Sequence, residues 1–257
     1  HQKNVMNTIF ITGGAQGIGR ATVKKFIAEG WNVTFTDINT EAAKELQDEL
    51  ATDNLLFVPG DTRSKEDLRK AVEATVARFG NISSVFTNAG IHRTNTILDI
   101  SDEELHTIMD INVFGTVNTL QAVLPEIIRN GGGSVVLNCS DQWFIGKPHS
   151  FAYGMTKGAI GQIARSLSID LAQYNIRVNA VCPGSIRTDL LDGALDSFSK
   201  IFDTTFDNMV NNENALYARG EMGRPSEVAN LVFFLASDQA SFCTGSHYMI
   251  DGGLIAK

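Results

Sequence analysis

Short apolar runs alternate along this chain with stretches in which apolar residues recur every three or four positions. NTIFIT (residues 7–12) predicts a strand, and Ile18, Ala21, Phe26 and Ile27 then follow helical spacing up to Gly30. NVTFTD (residues 32–37) predicts a second strand, TEAAKELQDELA (residues 40–51) a helix, and NLLFVPGD (residues 54–61) a third strand. Leu68, Val72, Val76 and Phe79 mark one face of the next helix, which ends at Gly80. SSVFTNAG (residues 83–90) predicts a fourth strand. One long helical stretch over about residues 101–130 leads into GSVVLNCS (residues 133–140), the fifth. Ile160, Ile163, Leu167 and Leu171 share one helix face. IRVNAVCPG (residues 176–184) and SHYMIDGG (residues 246–253) predict strands six and seven.

Strand–helix alternation with near-continuous Val, Ile and Phe in the strands predicts a parallel sheet covered on both faces. Right-handed crossovers make that an α/β, doubly wound, Rossmann-like fold of about seven strands. No linker, repeat or low-complexity tract divides the chain, so residues 1–257 are expected to form a single domain. Residues 189–218 break the rhythm, being long for a connection and rich in Phe and Asn. They predict a substrate lid, on which Phe198, Phe202, Phe206 and Met209 form an apolar stripe, for packing or for the pocket.

Composition narrows the function. Hydrophobic residues make up 43% of the chain, enough for a substantial core, and the formal net charge is −8 with no basic cluster. Nucleic acid and anionic membranes are therefore not expected partners. The longest apolar runs, such as LVFFLA (residues 231–236), are far too short to span a bilayer. His1 reads as a tag remnant, and no export signal opens the chain. Cys139, Cys182 and Cys243 are odd in number, widely spaced and set in apolar stretches. They read as small buried residues of a reducing compartment, the cytoplasm. Neither they nor the five scattered histidines have metal-ligand spacing, so no metal is expected.

The first strand runs into TGGAQGIGR (residues 12–20), with Gly13, Gly17 and Gly19 at the turn that opens a helix. Glycines let backbone N–H groups approach a phosphate, and the helix N-terminus adds partial positive charge. The alternative is a tight turn without a ligand. Asp37 ends strand two, where a carboxylate can accept hydrogen bonds from adenosine ribose hydroxyls and repel a 2′-phosphate. Ile38, Asn39 and Gln16 supply no cation, so NAD is the expected cofactor. Asn39 and Thr40 are better placed than Asp37 to cap the following helix. Asp61 either meets the adenine amino group or caps the helix that begins near Ser64. Asn88, Ala89 and Gly90 either let the backbone pass close to the cofactor or simply turn the chain.

Tyr153 and Lys157, in YGMTK, are four apart and share a helix face. Ser140 ends strand five at the same sheet edge as the glycine loop. Asn112 lies inside the long helical stretch, a poor place for Asn unless its amide has polar work. Taken in order, TGGAQGIG, Asp37, Asp61, NAG, NVFG, Ser140, YGMTK and PGSIRT resemble the short-chain dehydrogenase/reductase family over essentially the whole chain. The resemblance implies a catalytic tetrad of Asn112, Ser140, Tyr153 and Lys157, with Asn112 holding a proton-relay water. It assigns cofactor contacts to Gly13, Gln16, Gly17, Ile18, Gly19, Asp37, Ile38, Asp61, Thr62, Asn88, Ala89, Gly90, Tyr153 and Lys157. Pro183, Gly184, Ile186 and Thr188 complete that set, the last two at the nicotinamide carboxamide. It also implies a homotetramer.

The chemistry is expected to run through a phenol. A free phenol has a pKa near 10. An ammonium about 5 Å away, at an effective dielectric of roughly 20, stabilises the phenolate by about 3 kcal/mol, or about two pKa units. Tyr153, so tuned by Lys157, is expected to move a proton while hydride passes between NAD(H) and a secondary alcohol or ketone. After Ser140 the run SDQWFIGKPHS departs from the family pattern, with Asp141 facing the pocket or tying down a loop. Gln142, Trp143 and His149, with Ser140 and Tyr153, are expected to line a polar substrate pocket with one aromatic wall, suited to a sugar or polyol. His92 and Arg93, after NAG, either touch substrate or lie on the surface. Competing readings are a 3-oxoacyl reductase of fatty-acid synthesis, against which Asp37 counts, and a non-catalytic dinucleotide sensor, against which the full tetrad counts.

Overall fold

β1 (Thr8–Thr12) is wholly buried, and its alternate side chains enter two different cores. The computed structural model describes residues 6–256, so His1 lies outside it. β2 (Asn32–Asp37), β3 (Leu55–Pro59), β4 (Ser84–Thr87), β5 (Gly133–Asn138), β6 (Ile176–Pro183) and β7 (His247–Ile250) join β1 in one sheet. Its order is β3-β2-β1-β4-β5-β6-β7, and every pairing is parallel. This is the single-domain, seven-stranded α/β fold that the alternating pattern predicts.

A parallel sheet buried on both faces needs a helical layer on each. Ile9 and Ile11 of β1 point to a core closed by α1 (Gly17–Ala28), α2 (Thr40–Leu50) and α9 (Pro225–Ala236), through Phe26, Leu46 and Val232. Phe10 points to the other side. There α3 (Lys65–Phe79), α5 (Gly115–Arg129) and α6 (Phe151–Asp170) supply Leu68, Val123 and Ile160. Asn39 caps α2 through the Ala42 N–H, and Gly80 takes the left-handed conformation that stops α3.

The stretch over residues 101–130 is not one uniform α-helix. α4 (Asp102–Met109) opens with a capping box from Ser101 and Glu104, passes through a π-helical turn at Asp110–Phe114, and continues as α5. Periodicity cannot show the extra residue of a π-turn, because the apolar positions on either side still repeat at helical spacing. The segment expected to form a lid holds α7 (Asp189–Ile201) and α8 (Phe206–Leu216). They close a small core of Leu195, Tyr217 and Met222, onto which Phe198, Phe206 and Met209 pack. Phe202 stays half-exposed beside His149.

Candidate active site

Strand order reverses at β1, which pairs with β2 on one side and β4 on the other. The loops after β1 and β4 therefore part, and a cleft of about 470 Å³ opens at the carboxyl edge. Gly13 and Gly17 both sit at positive φ here. A Cβ on Gly19 would fall 1.9 Å from the Gly13 carbonyl oxygen, so the loop folds this tightly only without side chains. Gln16 gives α1 no side-chain cap, which leaves first-turn N–H groups for a phosphate beside the cleft.

Asp37 is fastened at the cleft wall. Its Oδ2 accepts from the Ala15 N–H at 3.0 Å and its Oδ1 from the Asn39 N–H at 2.9 Å. Asn39 donates from its amide to Gln16 at 3.3 Å. Gly13, Gln16, Gly17, Ile18, Asp37, Ile38, Asp61, Thr62, Asn88, Ala89 and Gly90 all line this cleft, with Tyr153, Lys157 and Thr188. Gly19 packs just behind it. The donor set, the glycine turn and the carboxylate at the strand end fit a dinucleotide.

Of the two readings of Asp61, the helix cap is not what the structure has. Asp61 does not cap α3, since the Ser64 hydroxyl does so by accepting from the Asp67 N–H. Nor is the Asp61 carboxylate free, because Arg63 grips both oxygens at 2.6–3.1 Å and holds its pKa below the ordinary value. Any adenine here meets a carboxylate–guanidinium pair, which a motif reading that stops at Asp61 overlooks.

A second cleft of about 140 Å³ continues from the first, and Ile18, Asn138, Tyr153 and Thr188 line both. Pro183, Gly184 and Ile186 border it, as do Ser140 and Gln142. Lys157 donates from Nζ to the Asn138 carbonyl at 2.8 Å and lies 5.4 Å from the centre of the Tyr153 ring. Asn138 in turn donates from its amide to Asn88 at 2.9 Å, and Asn88 donates to the Gly13 carbonyl at 3.0 Å. This chain of contacts joins the catalytic helix to the glycine loop. Sequence reasoning missed Asn138, whose only signal was its place at the end of strand five.

Asn112 sits in the π-turn but does not reach either cleft. Its Oδ1 accepts from the Ile91 N–H at 2.8 Å, and its amide donates to the Ile91 carbonyl at 2.9 Å and to Thr156 at 3.2 Å. It fixes the backbone behind NAG. Trp143 is not the expected aromatic wall. It stacks on His247 with centroids 5.1 Å apart and covers Gly161, where a Cβ would be 2.4 Å from the indole. His149 turns away to pack on Phe202. The aromatic wall is instead His92, 5.0 Å from Tyr153, together with Phe198.

Burial dominates the electrostatics. It pushes the Tyr153 phenol well above its ordinary pKa, and the Asp141 carboxylate pushes in the same direction. The direction is thus opposite to the lowered value expected from Lys157, because desolvation penalises the buried phenolate. Burial also lowers the Lys157 pKa, and it lowers His92 to about 4, so His92 is a neutral ring at pH 7. Asp141 is 1% exposed and accepts the Ser140 hydroxyl at 2.9 Å, which orients that hydroxyl. Asp141→Asn removes a charge that raises the phenol pKa. The rising limb of the pH–rate profile for alcohol oxidation, over which Tyr153 would lose its proton, is expected to move to lower pH; an unchanged profile contradicts this coupling.

A family model described as Enoyl-(Acyl carrier protein) reductase matches residues 13–255. The mouse protein L-fucose dehydrogenase is 32% identical over 246 residues, covering 95% of this chain and 87% of its own. The 2,5-dichloro-2,5-cyclohexadiene-1,4-diol dehydrogenase of Sphingobium indicum is 35% identical, with 97% of each chain covered. A solved short chain dehydrogenase family protein from Francisella tularensis superposes with a TM-score of 0.87 at 34% identity, over 98% of this chain and all of that one. A shared parallel sheet, a glycine turn at its switch point and a Tyr–Lys pair at the same edge accompany these likenesses, and the chain belongs to the short-chain dehydrogenase/reductase family of nicotinamide-dependent oxidoreductases.

Proposed function

We propose that this chain interconverts a secondary alcohol and its ketone with NAD(H), on a small hydroxylated substrate such as a sugar or polyol. As a family member it is an oxidoreductase acting on CH–OH groups. The observation that carries the finer reading is the meeting of two clefts at Tyr153, one large and open enough for a dinucleotide, the other small, with Ser140, Asp141, Gln142 and Lys147 set in a mainly apolar lining. The small cleft disfavours the acyl chain of a 3-oxoacyl reductase. Relatives named for L-fucose and for a cyclic diol lend the sugar or polyol reading further weight.

Asp37 would hold the adenosine ribose, the glycine turn the pyrophosphate, and Lys157 the nicotinamide ribose. When bound, the nicotinamide accepts or supplies the hydride. Tyr153 takes the proton from the carbinol, or returns it to the ketone, and Ser140 positions the substrate oxygen. Lys157 adds positive charge beside the phenol, and Asn112 steadies the strand-four loop through Ile91. α7 and α8 roof the small cleft as its lid, with Leu191, Leu195, Phe198 and Glu213 facing it. Cys139, Cys182 and Cys243 are all free thiols, which suits the cytoplasm, and no helix among the described residues is long and apolar enough to cross a membrane. A homotetramer would cover Phe114, Phe151 and Met155, which are exposed beside or on α5 and α6.

Three measurements test this reading. Asp37→Ser with Ile38→Arg is expected to shift preference from NAD(H) toward NADP(H); equal wild-type kcat/KM with the two cofactors contradicts the assignment. Tyr153→Phe is expected to lower turnover about 100-fold or more while NADH still binds by fluorescence titration. A Phe variant with near wild-type turnover removes Tyr153 from the chemistry. Sedimentation at micromolar concentration is expected to give a tetramer, and a monomer would refute the assembly.

A further inference from the structure

The small cleft carries a charge cluster, Asp141 buried and Lys147 and Glu213 half-buried, that the proton and hydride transfers do not use. Lys147, in the loop between β5 and α6, brings its Nζ to 3.0 Å from Asp141 Oδ2 and 3.9 Å from Glu213 Oε1. The contact with Asp141 is an ion pair without hydrogen-bond alignment, so Oδ2 keeps its accepting capacity. Glu213, on α8, also accepts from the Ser185 and Tyr217 hydroxyls. Gln142, which also lines the small cleft, has a buried Oε1 with no hydrogen-bond partner among the described residues, and that atom lies beside Gly154 of α6. Burial opposes the Lys147 charge, but Asp141, Tyr217 and Glu213 outweigh it and hold its pKa above the ordinary value. Across the cleft stand Leu191, Leu195 and Phe198. One wall is thus apolar, and the other alternates acceptor, donor and acceptor.

Burying a carboxylate such as Asp141 costs stability, and a well-packed apolar group there would serve the fold as well or better. The position of these charges suggests their use. Asp141 adjoins Ser140 and already shares its hydroxyl, so the cluster begins one hydrogen bond from the place where the reacting oxygen sits. Ser140, Asp141, Lys147 and Tyr153 line this one small cleft, so a substrate held at Ser140 and Tyr153 has the Asp141–Lys147 pair as its neighbour. We propose that Lys147 and Asp141 are specificity-determining residues that bind a hydroxyl on the carbon adjacent to the reacting carbinol. The substrate class is then neutral vicinal diols, including cyclic polyols and aldoses oxidised at the ring carbon next to a hydroxyl. Two carboxylates already neutralise Lys147, so it is not a clamp for a substrate carboxylate. The assignment rests on the alcohol-oxidising reading above and narrows it.

The test compares matched substrates with NAD⁺: butane-2,3-diol against butan-2-ol and lactate, and aldohexoses against their 2-deoxy analogues. For the wild type, kcat/KM is expected to favour the diol and the intact sugar by about 30-fold, the discrimination available from hydrogen bonds to charged groups. In Lys147→Met the ratio should fall to about 3-fold, mainly through a higher KM for the hydroxylated member. A general loss of structure would lower both members of a pair together and leave their ratio intact. The wild-type ratio also stands without the variant, should that fail to fold. Equal wild-type rates within each pair, a preference for lactate, or a Lys147→Met variant that keeps the full ratio would each overturn the inference and leave the reaction class standing. Turnover of none of these alcohols, by a protein that binds NADH, would overturn the reaction class and this inference with it.

Discussion

Because all seven strands run parallel, every loop that follows a strand leaves the sheet at the same edge. That constraint gathers Gly13, Asp37, Asp61, Asn88, Ser140 and Thr188, which lie far apart in the chain, into one pair of clefts. It also dictates the composition of the strands. With helices on both faces, neither side of β1 can be polar and solvated, so its residues are buried without alternation. The helices then carry the amphipathic signal, and α6 delivers Tyr153 and Lys157 to the edge where the strand-five loop delivers Ser140.

Burial gives this edge its electrostatic character. The same desolvation raises Tyr153, lowers Lys157 and keeps His92 neutral. A protonated phenol is the form suited to returning a proton to a ketone, and positive charge arriving with an oxidised cofactor favours the phenolate needed for the opposite direction. Asp141 opposes that shift while it orients Ser140, so one carboxylate couples the position of the serine to the acidity of the tyrosine.

α8 and the sheet edge are joined by polar contacts as well as by packing. Glu213 of α8 reaches Ser185 after β6 and approaches Lys147 after β5, while the Tyr217 hydroxyl accepts the Ser185 N–H at 2.7 Å. Each contact bridges segments from different parts of the chain, so the shape of the small cleft depends on the placement of α8.

The sequence by itself determined the fold class, the order of the seven strands, and which residues meet in the cleft at the sheet switch point. Those features rest on local periodicity and on short motifs that sit whole at single strand ends, as TGGAQGIGR and Asp37 do. Glycine at a tight turn and apolar residues at helical spacing carry their physical reason within a few positions. Tertiary structure alone decided the rest. Trp143 follows Ser140 closely in the chain yet faces His247, because the short 3₁₀ turn at Asp141–Trp143 rotates it off the cleft. Asp61 meets Arg63, and Asn112 meets Ile91, through side-chain choices that no spacing encodes. Lys147 and Glu213 are 66 positions apart and look like ordinary surface charges in the sequence. Only the packing of α8 against the strand-five and strand-six loops brings them together, and the pKa of a buried phenol is likewise set by neighbours that the chain order does not reveal.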